Sequence, residues 1–176
     1  MTTAPAASGG TPAAEVFLLT DPEWEPADPD DAPPYEVVVG MWPMRPDGTV
    51  GEFRPNPDYE PSYEASPTDP LDALIRFTLL GEVEPEHLAA VLRSSLVELA
   101  LNGDDRPLVV RDDDGGLCAM IATSAAHQRR IIAPDWRRVG LAELSTTLAD
   151  GTDVLVNPGS PAGARLGADF LRQAME

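Results

Sequence analysis

The sequence has no lysine among its 176 residues, only one cysteine, Cys118, and only two histidines, His87 and His127. A single cysteine cannot form a disulfide framework within the chain. A structural zinc site takes about four cysteine and histidine ligands, and the sequence offers only three such residues. The apolar runs are short, so we expect no membrane insertion. These absences exclude disulfide scaffolds, zinc modules and membrane-spanning proteins.

Acidic side chains dominate what the sequence does contain. It has 30 aspartate and glutamate residues against 12 arginines, which gives a net charge of −18. A chain of this sign repels the phosphates of nucleic acids, so no nucleic-acid partner is expected. Apolar residues make up 43% of the chain. That share is enough to build a core, and we predict a folded, acidic protein.

Acid, proline and aromatic residues are concentrated in the first part of the chain. Residues 1–66 hold 13 acidic residues and 2 arginines, a net charge of −11, and 13 of the 19 prolines precede residue 70. Such a mixture is typical of a surface that meets a basic or amphipathic partner. Alternatively, the acid only keeps the protein soluble and the aromatic residues form a local core. Under the first interpretation, five aromatic side chains are the predicted partner-binding residues: Trp24, Trp42, Phe53, Tyr59 and Tyr63.

Composition divides the chain into three segments. Residues 1–14 are small, polar and uncharged, which predicts a disordered tail and not a secretory signal. Residues 15–66 are predicted to form an acidic region rich in proline and aromatic residues, with a β-hairpin at Pro46-Asp47-Gly48. Residues 67–176 carry a predicted α/β domain. The lone cysteine and the absence of a signal favour a cytoplasmic location.

The predicted fold class is α/β, of the α+β type. It has a small central mixed sheet packed by about four helices, with the N-terminal hairpin as an extension. Helix caps and apolar spacing predict helices from Asp69-Pro70 to Gly81, from Glu84-Pro85 to Asn102-Gly103, over 141–148 and after Ser160. Apolar runs predict strands over 15–20, 107–111, 117–123 and 154–156.

Two features suggest chemistry, but neither is carried further. Cys118 could be a nucleophile with His127 as its base, although a small buried cysteine and an exposed histidine at a helix end explain them as well. The run of residues 112–116 invites a calcium interpretation. It fails because Ile121 stands where the loop needs glutamate. We therefore predict no catalytic residue, no metal site and no cofactor.

The most organised segment is Asn157-Pro158-Gly159-Ser160-Pro161. A strand, a glycine-containing turn and a helix capped by Ser160 could form an anion pocket. No glycine-rich nucleotide motif is present, however, and no basic residue follows until Arg165. The simpler interpretation is a tight turn followed by a helix cap.

Several segments resemble known families. The stretch from Asp47-Gly48-Thr49-Val50-Gly51 to Glu60-Pro61-Ser62, together with Asp21–Trp24, Val39–Trp42 and Ser66–Pro70, resembles actinobacterial proteins named type VII secretion system-associated proteins. The segment Asp153–Ala162, with its strand and Asn-Pro-Gly turn, looks like the N-terminal domain of SseB-like proteins. The resemblance implies a small cytoplasmic α/β accessory protein without established enzymatic activity.

The tyrosine spacing bears on the role within such a system. Substrates of that secretion route carry a tyrosine followed four residues later by aspartate or glutamate. Here Tyr35, Tyr59 and Tyr63 are followed at that spacing by valine, tyrosine and proline. The spacing therefore favours an accessory component over an exported substrate.

Our leading functional hypothesis is a noncatalytic cytoplasmic adaptor that binds a protein partner, either a secretion component or a substrate, through an acidic aromatic surface. One alternative is an immunity-type protein that neutralises a basic toxin. The other is an enzyme or ligand-binding domain that uses the turn over residues 157–160. No oligomeric state is predicted from the sequence.

Overall fold

The computed structural model describes residues 2–4, 16–63, 65–112 and 114–176. The chain forms two compact units, Met1–Ala73 and Leu74–Glu176. The boundary between them falls within a helix, whereas the composition changes at residue 67. The predicted α+β fold class is confirmed, and five α-helices are seen among the described residues where about four were expected.

The first unit is built on an antiparallel sheet. Its four strands lie in chain order: β1 (Thr2–Ala4), β2 (Val16–Thr20), β3 (Val38–Pro43) and β4 (Arg54–Pro55). The prediction of a disordered tail over residues 1–14 is wrong at Thr2–Ala4, because these residues pair with β2. The rest of that predicted tail lies outside the described residues.

The predicted hairpin joins β3 to β4. Asp47 shapes its turn, since its Oδ1 atom accepts hydrogen bonds from the Thr49 amide at 2.9 Å and the Thr49 hydroxyl at 2.6 Å. Gly48 has a φ of +80°, a conformation that costs glycine little. The returning strand, β4, has only two residues.

Two aromatic rings of the first unit pack against each other. The rings of Trp42 and Phe53 lie 4.7 Å apart at an angle of 59°. Gly40 makes room for the Phe53 ring, because a Cβ atom there would come within 2.2 Å of it. Trp42 is 2% exposed, so it belongs to a local core.

The second unit is built around a six-stranded mixed sheet. Its elements are α1 (Pro70–Leu79, which begins in the first unit), α2 (Pro85–Ser94), β5 (Leu96–Leu101), β6 (Val109–Arg111), β7 (Leu117–Ala122), α3 (Ala125–Gln128), β8 (Asp135–Gly140), α4 (Leu141–Thr147), β9 (Asp153–Val156), β10 (Ala164–Leu166) and α5 (Ala168–Gln173). The strand order is β10-β9-β7-β5-β8, with β6 also paired to β7. The pair of β7 and β9 is parallel, and the other pairs are antiparallel.

The second predicted helix is wrong beyond Ser94. Residues that were expected to continue it to Gly103 instead form β5, which pairs with β7 and β8 in the interior of the sheet. Leu96 and Leu99 fit helical spacing, so the sequence pattern alone favours a helix over these residues. In the strand, Leu96 is 60% exposed and Val97 is 1% exposed, the alternation expected of a pleated strand.

The helix predicted after Ser160 is also wrong. The Asn157-Pro158-Gly159 turn is present, but the chain then forms β10, and α5 begins at Ala168 with Gly167 as its N-cap. Residues 164–166 pair with β9, and this pairing satisfies their backbone hydrogen-bonding groups. The chain therefore continues after the turn as a strand and not as a helix.

The core of the second unit lies between its sheet and its helices. Its largest fully buried side chains include Leu74, Ile75, Leu92, Leu99, Ile121, Leu144 and Val154. Each contributes about 1.5–3 kcal/mol through burial of its apolar surface. Among the described residues, no helix is both long enough and apolar enough to cross a bilayer.

Candidate functional site

The first candidate site is an exposed acidic segment of the first unit, which we name the acidic loop and define as residues 21–36. Its base is closed, because the Asp21 amide donates to the Val37 carbonyl at 2.8 Å. Asp21 itself is 1% exposed. The other acidic side chains of the loop are all exposed: Glu23, Glu25, Asp28, Asp30, Asp31 and Glu36. The fold therefore displays these charges on a loop whose ends are fixed.

Two polar side chains outside the acidic loop hold its base. The Tyr59 hydroxyl lies 3.0 Å from Asp21 Oδ2 and 3.0 Å from the Pro67 carbonyl oxygen. The buried Asn56 amide donates from Nδ2 to the carbonyls of Tyr35, at 3.0 Å, and Val38, at 2.8 Å. Sequence reasoning missed Asp21 and Asn56. The proline beside each of them marked a turn, which was the available signal.

The five predicted aromatic residues do not form one exposed surface. The prediction that Trp42 contacts a partner is wrong, because its side chain is buried. Phe53 is half-buried against the Trp42 ring. Tyr59 is half-buried with its hydroxyl in hydrogen-bond range of Asp21, which makes it a positioning residue. Tyr63 is 49% exposed and Trp24 is half-buried, so both can still contact a partner.

Tyr35 was not among the predicted contact residues, yet it is 51% exposed. It lies at the end of the acidic loop, directly before Glu36. Amphipathic aromatic side chains are common anchors in protein interfaces. Tyr35 and Tyr63 are therefore the exposed aromatic side chains that best fit the predicted contact role.

The predicted turn over residues 157–161 is a structural feature of the second unit. Asn157 is 0% exposed, its Oδ1 accepts from the Thr123 amide at 2.9 Å, and its Nδ2 donates to Thr123 Oγ1 at 3.0 Å. The amides of Ser160 and Gly163 donate to carbonyls within the turn. These donors are already used, so the turn does not offer them to an anion.

A basic residue nevertheless lies beside this turn. Arg130 donates from Nη1 to the Gly159 carbonyl at 3.0 Å. In the sequence no arginine stands close to the turn before Arg165, because Arg130 and Gly159 are 29 positions apart along the chain. The guanidinium contacts a carbonyl here and links the segment that follows α3 to the turn.

A charged cluster joins β9, β10 and the hairpin before β7. Arg165 donates from Nε to Asp153 Oδ2 at 2.7 Å and also contacts Asp112. The hydrogen bond that Asp153 Oδ1 accepts from the Ala168 amide, at 2.7 Å, lowers the pKa of Asp153, and Arg165 lowers it further. The hydrogen bond to Asp153 raises the pKa of Arg165 in turn. This cluster holds the start of α5 against the sheet.

Cys118 lies beside that cluster but is not suited to nucleophilic chemistry. It is 0% exposed, and burial raises the pKa of its thiol. Its Sγ atom is 3.9 Å from Asp112 Oδ2. Since the thiolate is the reactive form, a buried thiol with a raised pKa reacts slowly. His127, which was expected to be exposed, is buried at 3% exposure.

The second candidate site is an apolar cavity of about 280 Å³ in the second unit, which we name the β10 groove. Strand β10 forms one wall, and α1, α2 and α5 supply the others. In the described part of the chain, no strand pairs with the other side of β10. The apolar lining is Ile75, Leu79, Leu88, Leu166 and Phe170.

Comparison of this chain with protein-family models, with curated proteins and with solved structures gives no match. Exposed carboxylates and tyrosines are suited to contact with a cationic protein surface, and an apolar groove is suited to side chains of a partner.

Proposed function

We propose that this chain is a noncatalytic cytoplasmic accessory protein that binds a basic protein partner through its acidic loop. The observation that carries the proposal is the display of six exposed carboxylates on a loop closed by Asp21 and Tyr59. The resemblance of residues 21–70 to type VII secretion system-associated proteins supports a role beside such a secretion machine. The partner would then be a component or a substrate of that machine.

Charge and aromatic anchors have different tasks in this proposal. The acidic loop steers encounter with a cationic partner, which raises the association rate and makes binding salt-dependent. Tyr35 and Tyr63 supply apolar contact area with a hydroxyl that can stay hydrated, and such residues slow dissociation. The complex is accordingly expected to weaken as salt rises, mainly because its association rate falls.

The experiment is affinity purification of the tagged full-length protein from its native host, with mass spectrometry and a salt series. The test variant combines Asp28→Asn, Asp30→Asn and Asp31→Asn in the acidic loop. The control combines Asp104→Asn, Asp114→Asn and Asp150→Asn, which removes the same charge from exposed positions of the second unit. We expect the loop variant to lose at least fivefold of the captured partner at low salt and the control to keep it.

Equal loss in both triple variants would show that only net charge matters, which contradicts a loop-specific site. Recovery of no protein by the unchanged chain would also contradict the proposal. Recovery of one basic protein whose toxicity the chain abolishes would favour the immunity alternative over the adaptor.

A further inference from the structure

We propose that the β10 groove binds an extended basic peptide segment of a partner protein, which adds as a strand to the free edge of β10. This site belongs to the second unit and shares no residue with the acidic loop. It would give the protein a second, sequence-selective contact with its partner. The proposal depends on three observations: an unpaired strand edge, an apolar wall and an acidic rim.

The strand edge supplies backbone hydrogen bonds. β10 pairs with β9 through Ala164, Arg165 and Leu166, and the described residues place no strand on its other side. An open edge of this kind is a template for another strand. Addition of an extended peptide to a sheet edge is a recurring mode of peptide recognition, in which alternate side chains enter neighbouring pockets.

The apolar wall supplies a place for those side chains. Leu79 lines the groove and is 59% exposed, and Phe170 is a half-buried residue of the same lining. The cavity volume of about 280 Å³ is at the small end for a ligand pocket. It suits a few side chains of a peptide better than a large cofactor.

One polar atom also points to an absent partner. Thr78 Oγ1 is buried in the lining of the groove and has no hydrogen-bond partner among the described residues. A buried hydroxyl without a partner costs free energy. A peptide backbone in the groove can supply that partner.

The rim sets the charge of the peptide. Glu84 and Glu86 flank the lining residue Pro85 along the chain, and both are exposed. The arginine within the wall, Arg165, is already paired with two aspartates. The rim is therefore negative, and it favours arginine or lysine between the apolar residues of the bound segment.

The probe is a synthetic nonapeptide that alternates arginine with valine or leucine, blocked at both ends. Its binding to the full-length protein is measured by titration calorimetry, and the site is located by amide shifts in ¹⁵N NMR spectra. We expect the largest shifts in β10 and at the end of α1. A peptide with glutamate in place of arginine is expected to bind at least tenfold more weakly.

Two neighbouring leucines provide matched variants. Leu79 lines the groove, whereas Leu80, which is 66% exposed, is not part of its lining. Leu79→Ala is expected to weaken the probe at least fivefold, and Leu80→Ala to change it less than twofold. Because both side chains are largely exposed, neither change should unfold the protein.

Strand addition is tested with two further probes that carry N-methyl groups on alternate residues, one on the odd and one on the even positions. One of them removes the amides that face β10, so it is expected to lose at least tenfold in affinity. Full binding by both would overturn strand addition, and equal effects of the two leucine changes would overturn the site. The triple variant of the acidic loop should still bind the probe, which separates failure of this proposal from failure of the proposed function.

Discussion

At the scale of single residues, Asn157 adopts a backbone conformation that few side chains tolerate. Its φ is +47°, it is 0% exposed, and it makes two hydrogen bonds to Thr123. We expect Asn157→Ala to lower the free energy of unfolding by about 3 kcal/mol, because both hydrogen bonds are lost and alanine is strained in this region. Asn157→Gly should cost about 1 kcal/mol less, since glycine accepts a positive φ.

The measurement is urea denaturation followed by circular dichroism. The difference in unfolding free energy between the glycine and alanine variants measures the backbone strain of alanine at position 157. The decrease in unfolding free energy that both variants share measures the loss of the two hydrogen bonds. Equal stability of the two variants would show that the conformation at position 157 relaxes, contrary to this interpretation.

Asp153 gives a prediction about pH. Its pKa is lowered from the ordinary value of 3.8 by the hydrogen bond from Ala168 and by Arg165. Because the folded state favours the carboxylate, the stabilisation is complete above that ordinary value and is lost as the pH falls through the lowered folded value. We expect Asp153→Asn to be less stable than the unchanged protein at pH 7, by about 1 kcal/mol.

The difference in unfolding free energy should stay constant from pH 7 to pH 5 and shrink below about pH 4. The control is Asp150→Asn, which changes an exposed carboxylate just before β9. Chemical denaturation across this pH range provides the measurement. A difference in unfolding free energy that persists undiminished at pH 2 would mean that the packing of the Asp153 side chain, and not its charge, stabilises the fold.

At the scale of elements, the change from α2 to β5 depends on pairing within the sheet. Helical spacing runs through Leu92, Leu96 and Leu99, but the chain changes to a strand at Leu96. We expect a synthetic peptide of residues 84–102 to be helical through Leu99 in trifluoroethanol, because β7 and β8 are absent there. Cα chemical shifts provide the measurement. A peptide helix that ends at Ser94 would show that the boundary is encoded locally.

A local signal for that boundary does exist. The hydroxyls of Ser94 and Ser95 donate to the Val91 carbonyl at 3.0 and 2.7 Å. Serine side chains compete in this way with backbone hydrogen bonds of a helix. The pair of serines is visible in the sequence, but the apolar spacing through Leu92, Leu96 and Leu99 favours a continued helix.

Elements with strong local chemistry could be predicted, while those that depend on distant pairing could not. The Asp47-Gly48 turn is a local feature, and so is the start of α1, where Asp69 Oδ1 accepts from the Asp72 amide at 3.0 Å. β10 was missed because its three residues become a strand only by pairing with β9.

The candidate site, too, could be predicted only in part. Composition alone identified an acidic, aromatic segment. The burial of Trp42 depends on its packing with Phe53, and the base of the acidic loop depends on Tyr59, 38 residues from Asp21. Contacts at such separations leave no periodic pattern in the sequence.

At the scale of the whole molecule, the net charge of −18 opposes the folded state through self-repulsion. The exposed ion pairs, such as Arg137 with Asp105 and Arg172 with Asp169, contribute at most about 1 kcal/mol each. Salt screens both effects, but repulsion involves many more charges. We therefore expect the melting temperature to rise by about 2–4 °C between 20 and 300 mM NaCl.

Differential scanning calorimetry measures this shift, and sodium chloride is compared with sucrose at equal osmolality to separate screening from exclusion. A melting temperature that falls with salt would show that attractive pairs outweigh the repulsion. An equal rise in sucrose would remove screening as its cause.

The burial of Trp42 has an optical consequence. The first unit contains Trp24 and Trp42, and the second contains Trp136. An indole packed in an apolar core emits at shorter wavelength than one in water, so unfolding of the first unit should shift its emission to the red. Replacement of Trp24 and Trp42 by phenylalanine leaves Trp136 as the sole indole emitter. Each compact unit thus carries its own intrinsic fluorophore, and the two can be followed separately without an attached dye.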